Sequence, residues 1–177
     1  MRLALAVAAA AVLAGCAGDV VTNPDAVIVE PFGMSAVRAP QTIAFKNAFE
    51  ARARHEITSR DGTWVVDLRQ LTETAIVALR RALEKKGITA DPQSAKTMTL
   101  RVQVRGAWAQ FMPGHVLAKA RVSLEAQFGD GSTASVEAED GSAFGATRAF
   151  QGALRVAGQQ LLYNPAFLAY LNREVVR

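Results

Sequence analysis

Few side chains in this chain could do chemistry. Its 177 residues include one cysteine, Cys16, and two histidines, His55 and His115. A thiol and an imidazole brought together could act as nucleophile and base, and either could hold a metal. Their settings argue against both. His55 falls in the charged stretch A-R-H-E, and His115 follows Pro113 and Gly114 in what reads as a turn, with no set of thiolates or carboxylates at ligand spacing. No G-x-S-x-G elbow presents a serine, and no glycine-rich loop with a lysine cradles a phosphate. Gly129, Asp130 and Gly131 lack the ligand spacing of a calcium loop and read as a hairpin turn. Glu137, Glu139 and Asp140 read as a solvated strand face. The expectation is a protein with no catalytic residues, no metal and no cofactor.

What remains is the sulfur of Cys16. The chain opens M-R-L-A-L-A-V-A-A-A-A-V-L-A-G-C: one cation, an apolar run over residues 3–13, two small residues and the cysteine. That order is the build of an export signal. The run is about half the ~20 residues that cross a bilayer. Its last four residues, Leu13, Ala14, Gly15 and Cys16, resemble the bacterial lipobox. The resemblance implies cleavage after Gly15, a diacylglyceryl group on the Cys16 sulfur and an acyl chain on the new amine. One acyl chain binds a membrane marginally, whereas two or more hold it. Ala17 stands where lipoproteins kept in the inner membrane tend to have Asp. The resemblance therefore implies a lipid-anchored protein of the outer membrane, facing the periplasm.

Composition sets the remaining bounds. Half the residues are apolar, enough for one core. The formal charge is +4, or +3 without the one charge of Arg2. Cations are scattered among acids with no run of like charge, so no nucleic-acid partner is expected. The organisation expected is a leader over residues 1–15, the lipidated cysteine and a tether over 16–25, and a single periplasmic domain over 26–177.

The elements of that domain show in their periodicity. Val27, Ile28 and Val29 are apolar and β-branched, stopped by Pro31 and Gly33, and predict a first strand. Residues 35–59 carry both periods: Phe45 and Phe49 suit a helix face, while Phe49, Ala51, Ala53, His55 and Ile57 alternate. With the turn R-D-G-T and W-V-V after it, strand–turn–strand is predicted for about residues 49–66. Asp67 reads as an N-cap to a helix striped by Leu68, Leu71, Ala75, Leu79, Ala82 and Leu83 and closed by Lys85, Lys86 and Gly87. Residues 97–105, 116–128 and 133–139 then alternate as three antiparallel strands. Phe150, Ala153, Leu154, Ala157, Leu161 and Leu162 share a helix face, Asn164-Pro165 breaks that helix, and A-F-L-A-Y-L-N-R-E forms a short terminal one. The fold class expected is α+β, a two-layer sandwich with an antiparallel sheet and the helices on one face.

Two surfaces stand out. Trp108, Phe111 and Met112 sit beside the Pro113-Gly114 turn, either as a cap over a small core or as a candidate contact surface. The second is the polar strand face of Thr99, Arg101, Gln103, Arg105, Lys119, Arg121, Ser123, Glu125 and Gln127.

The order of parts resembles the YajG-like family of bacterial lipoproteins. The likeness is carried by the lipobox, L-R-Q-L and A-L-E-K-K-G on the long helix, A-F-G-A-T-R-A-F before the closing helix, and F-L-A-Y-L at the end. It covers residues 60–172 best, through Leu68, Gly87, Gly114, Gly131, Phe144, Phe150 and Phe167. It implies an outer-membrane lipoprotein of unassigned molecular role, with no catalytic residues to carry over. The function expected is a non-enzymatic envelope protein held to the membrane through Cys16. It would act by contact with an envelope protein partner in assembly or maintenance. The alternative is a periplasmic module that binds a glycan such as peptidoglycan, or a lipid.

Overall fold

The computed structural model describes residues 18–32, 34 and 37–173. The expected leader, with Leu13, Ala14, Gly15 and Cys16, lies outside the described residues. The protein is an α+β sandwich. Its strands are β1 (Gly18–Val20), β2 (Gln41–Asn47), β3 (Arg54–Ser59), β4 (Gly62–Asp67), β5 (Ile88–Ala90), β6 (Thr97–Met112), β7 (His115–Phe128) and β8 (Thr133–Ser142). Its helices are α1 (Leu68–Glu84), α2 (Ala146–Leu162) and α3 (Pro165–Asn172), preceded by a 3-10 turn (Pro24–Ala26). The strands form two sheets, ordered β1-β4-β3 and β5-β2-β6-β7-β8.

Both long helices form where their stripes predict. The Asp67 side chain accepts the N–H groups of Arg69 and Gln70, satisfying donors that the first turn of α1 leaves free. Gly87 takes φ +74° just past the helix, a conformation that a side chain would resist. The α1 stripe, Leu71, Ala75, Leu79, Ala82 and Leu83, is buried with Phe150, Leu154, Leu161 and Leu162 of α2 against Met98, Leu100, Val102, Val122 and Leu124 of the sheet. Asn164 caps α3 through the N–H of Ala166.

The strand–turn–strand reading holds, with its arms at β3 and β4 instead of beginning at Phe49. β2 was not expected. It pairs in parallel with both β5 and β6, which makes the large sheet mixed, with β6, β7 and β8 as its antiparallel part. β2 ends opposite Leu100, and among the described residues no other strand pairs with the rest of β6 on that side. There the buried Thr72 Oγ1 of α1 accepts the Val102 N–H at 3.0 Å.

Two readings of the N-terminal region are corrected. Gly18–Val20, expected within the tether over 16–25, are β1, in parallel register with Trp64, Val65 and Val66. Val20 is buried, and the Thr22 hydroxyl is buried against that of Thr74 at 2.9 Å. Residues 27–29, expected as a first strand, join neither sheet. They do alternate, with Val27 and Val29 buried and Ile28 exposed, but they lie on helices. The Gln159 side chain takes the place of a neighbouring strand, accepting the Glu30 N–H at 3.1 Å and donating to the Glu30 carbonyl at 2.6 Å. Val29 packs where Gly158 leaves room.

Candidate functional site

Helices cover one face of the large sheet. The other face carries the polar residues that the alternation assigns to it, and among the described residues no helix lies over its β6–β7–β8 part. Its charges are ordered across the strands. Arg121 of β7 bonds Glu139 of β8 through Nη2 at 2.8 Å and Nε at 3.2 Å, and lies 3.8 Å from Glu137. The neighbouring carboxylate holds the Arg121 pKa above its ordinary value. Lys119 approaches Glu139 at 3.7 Å, Arg105 approaches Glu125 at 3.8 Å, and Gln103 donates to Glu125 at 3.0 Å. Ser123 is on this face yet only 2% exposed, and its Oγ has no hydrogen-bond partner. Toward the β2 side, Arg101 stacks on Phe49 at 5.5 Å. An open groove of ≈ 480 Å³ there is lined by Thr99, Arg101, Glu125, Gln127, Thr133 and Ser135. Ala48, Ala126 and Ala134 complete the lining, and the six polar side chains outnumber them, so the groove suits a polar ligand or chain better than an apolar one.

The second candidate surface lies, as expected, beside the Pro113-Gly114 turn. Trp108, Phe111 and Met112 belong to β6, which runs to Met112 and turns through Pro113 and Gly114 directly into β7. A bulge between Val104 and Gly106 shifts the alternation by one. Trp108 therefore falls on the open face with Arg101 and Gln103. Its ring is half-buried, with the Arg121 guanidinium 5.5 Å above it. Phe111 and Met112 point to opposite faces, across from Val116 and His115. They stay exposed, Phe111 at 58% and Met112 at 42%, because this end of the hairpin projects beyond β8, which stops opposite Ala118. The structure thus separates Trp108 from Phe111 and Met112.

Phe144 was missed as a surface residue. It lies two residues past β8, at the same end of the sheet, and is 81% exposed with Arg148 stacked 5.3 Å from its ring. Its position between Ala143 and Gly145, outside any periodic stretch, was the only signal in the sequence. His55 and His115 are both exposed and lie on different sheets. Glu137 and Glu139 are on the open face, but Asp140 turns to the helix side, 3.7 Å from Arg155. Among the described residues no cluster of three or more His, Asp or Glu side chains could hold a metal ion, and no helix is long and apolar enough to cross a membrane.

No family model and no curated protein matches this sequence. Among solved structures, the chain is similar to protein XCC0632 from Xanthomonas campestris, of the family model DUF330. Identity is 14% over 87% of this chain and 95% of that one, with a TM-score of 0.49. It is also similar to a minor lipoprotein from Acinetobacter baumannii. Identity there is 10% over 71% of this chain and 91% of that one, with a TM-score of 0.43.

Proposed function

We propose that this chain is a lipid-anchored envelope protein that works by contact instead of catalysis, with the open face of β6, β7 and β8 as its docking surface. Cys16, in the lipobox-like L-A-G-C, is the anchor, and Ala17 favours the outer membrane, periplasmic side. The observation that carries the reading is the uncovered sheet face. Its cations and carboxylates form cross-strand pairs at 2.8–3.8 Å. Such an array can exchange internal pairs for pairs with a partner, which favours specificity and rate of encounter. A contact in envelope assembly or maintenance fits a surface of this kind.

A photo-reactive residue at Arg101 or Ser135, in intact envelopes, tests it, with a third position on the outer side of α2, Arg155, as control. One partner captured from both sheet positions, absent from the control and lost when Glu125 is replaced by Lys, supports the reading. Equal labelling at all three positions removes it. The groove beside Arg101 and Phe49 supports a second reading, a binding module for a polar chain such as a glycan. Calorimetry with soluble peptidoglycan fragments tests that one, and heat unchanged by Arg101→Ala counts against it.

A further inference from the structure

The chain enters the fold from one end, and three exposed large apolar side chains, Phe111, Met112 and Phe144, lie at that end. Past β1, Thr22 meets Gln70 and Thr74 of α1, then Asp25 meets Arg81, and Glu30 meets Lys85 at 3.0 Å. This segment therefore follows α1 from its early turns to its last, toward Gly87, whose carbonyl bonds Gln41 at the start of β2. β6 runs the other way. It starts beside Ala44, passes Thr72 at Val102 and ends at Met112. Traced backward from Thr22, β1 heads toward the β6–β7 tip.

β1 also shortens the leash. Cys16 is two residues from Gly18, which is held in register with Trp64. At roughly 3.5 Å per residue that gives a reach of about 7 Å. A domain held so closely cannot turn its opposite end, with Phe32 and Tyr163, to the lipid. The end it can present carries Phe111, Met112 and, at 81% exposure, Phe144. Arg148, exposed, is stacked on Phe144, and the exposed His115 stands opposite Met112. Aromatic and thioether side chains with a cation beside them are what an interfacial contact needs: apolar groups to enter the acyl boundary and charge for the phosphates.

We infer that this end of the sheet is a membrane-contact surface. Phe111, Met112 and Phe144 enter the headgroup–acyl boundary of the bilayer, and Arg148 lies at its phosphates. The hairpin tip thereby fixes how the open sheet face is held above the membrane. The inference rests on the lipid anchor proposed at Cys16.

The test uses the full mature protein in vesicles of phosphatidylethanolamine and phosphatidylglycerol. Met112→Cys and Ser135→Cys are each labelled with a polarity-sensitive dye, the acylated Cys16 leaving the introduced thiol as the single reactive one. Intact mass is read on the same samples. The expected result is blue-shifted emission at 112, quenched several-fold more by brominated acyl chains than emission at 135. Replacing the exposed Phe111 and Phe144 by Ser should abolish that difference. Emission at 112 equal to that at 135, on protein whose mass shows the acyl chains, overturns the contact and leaves the anchor standing. A mass showing an unmodified Cys16 sulfur overturns the anchor and the contact together.

Discussion

Thr72 Oγ1 accepts the Val102 N–H at 3.0 Å, one step past the point where β2 stops pairing with β6. Leu100 on the same edge still has a partner, since its carbonyl accepts the Ala48 N–H at 2.9 Å. A helix hydroxyl thus continues a ladder that the strand abandons. Thr72→Val keeps the shape and removes the acceptor, leaving a buried donor unpaired. It should cost about 1–3 kcal/mol, with Thr72→Ser recovering most of it. Urea unfolding at unchanged slope measures both.

The seat of residues 27–30 on α2 depends on Gly158. A methyl group there would sit 2.8 Å from Val29 Cγ2. Gly158→Ala should therefore destabilise by roughly 1–3 kcal/mol through overpacking. Val29→Ala alone leaves a cavity, whereas the double variant lets the two changes compensate. The double-mutant cycle should show a favourable coupling of about 0.5–3 kcal/mol, and additivity would rule out the close approach.

Gln159 makes both of its bonds to one residue, Glu30. Gln159→Ala should free that residue's backbone without disturbing the sheets. Hydrogen exchange at the Glu30 amide is then expected to accelerate while β6 and β7 amides keep their protection, with global stability lower by about 1 kcal/mol. Uniform acceleration would mean the segment is integral to the core.

These contacts show what the sequence could and could not convey. The α1 and α2 stripes and the period-two runs of β6, β7 and β8 repeat one spacing over many residues, and all were legible. Gly18–Val20 and β2 take their identity from partners far away in sequence, Trp64–Val66 and Thr97–Leu100, and no local period announces a parallel neighbour. Residues 27–29 did alternate, but the hydrogen bonds beside them go to a glutamine side chain. Trp108 was displaced by the bulge at Val104/Gly106: one extra residue reverses the face of everything after it, so the pattern ending at Arg105 gave no sign that the strand continued. Of the candidate surfaces, the open face followed from alternation alone. The exposure of Phe111 and Phe144 followed from where β8 stops, which is a fact of tertiary structure.

Asp130 holds the β7–β8 turn. Its Oδ1 accepts the Ser132 hydroxyl at 2.5 Å and the Ser132 N–H at 2.9 Å, and Arg173 pairs with its other oxygen. The Ser132 hydroxyl first, then the backbone bond and Arg173, hold this carboxyl below the ordinary aspartate range. A depressed folded-state pKa gives stability that is present above the unfolded value and is lost as pH falls through the folded one. The advantage of the native chain over Asp130→Asn should therefore be constant near neutrality and shrink below about pH 4. Ser132→Ala should move the Asp130 titration upward by NMR, and an Asp130 titration at or above the ordinary value would refute the turn's electrostatics.

Two glycines of one hairpin should respond to alanine with opposite sign. Gly114 follows Pro113 at the tip with φ +84°, and open space surrounds the position a Cβ would take. Sterics cost nothing there, but an L side chain in the left-handed region costs about 1–2 kcal/mol, so Gly114→Ala should destabilise by that amount. Gly106 at the bulge is not among the glycines with positive φ, and a Cβ would meet the Trp108 ring at 3.5 Å, an ordinary contact. Alanine at 106 narrows the unfolded ensemble and gains a contact with the indole, so Gly106→Ala should stabilise by about 0.4–1 kcal/mol. Chemical denaturation of the two variants side by side decides the matter. Because Trp108 sits between Gly106 and Arg121, its fluorescence in the Gly106→Ala protein also reports whether the open face keeps its arrangement. A destabilised Gly106→Ala variant would mean that the bulge requires backbone freedom which its torsions do not reveal.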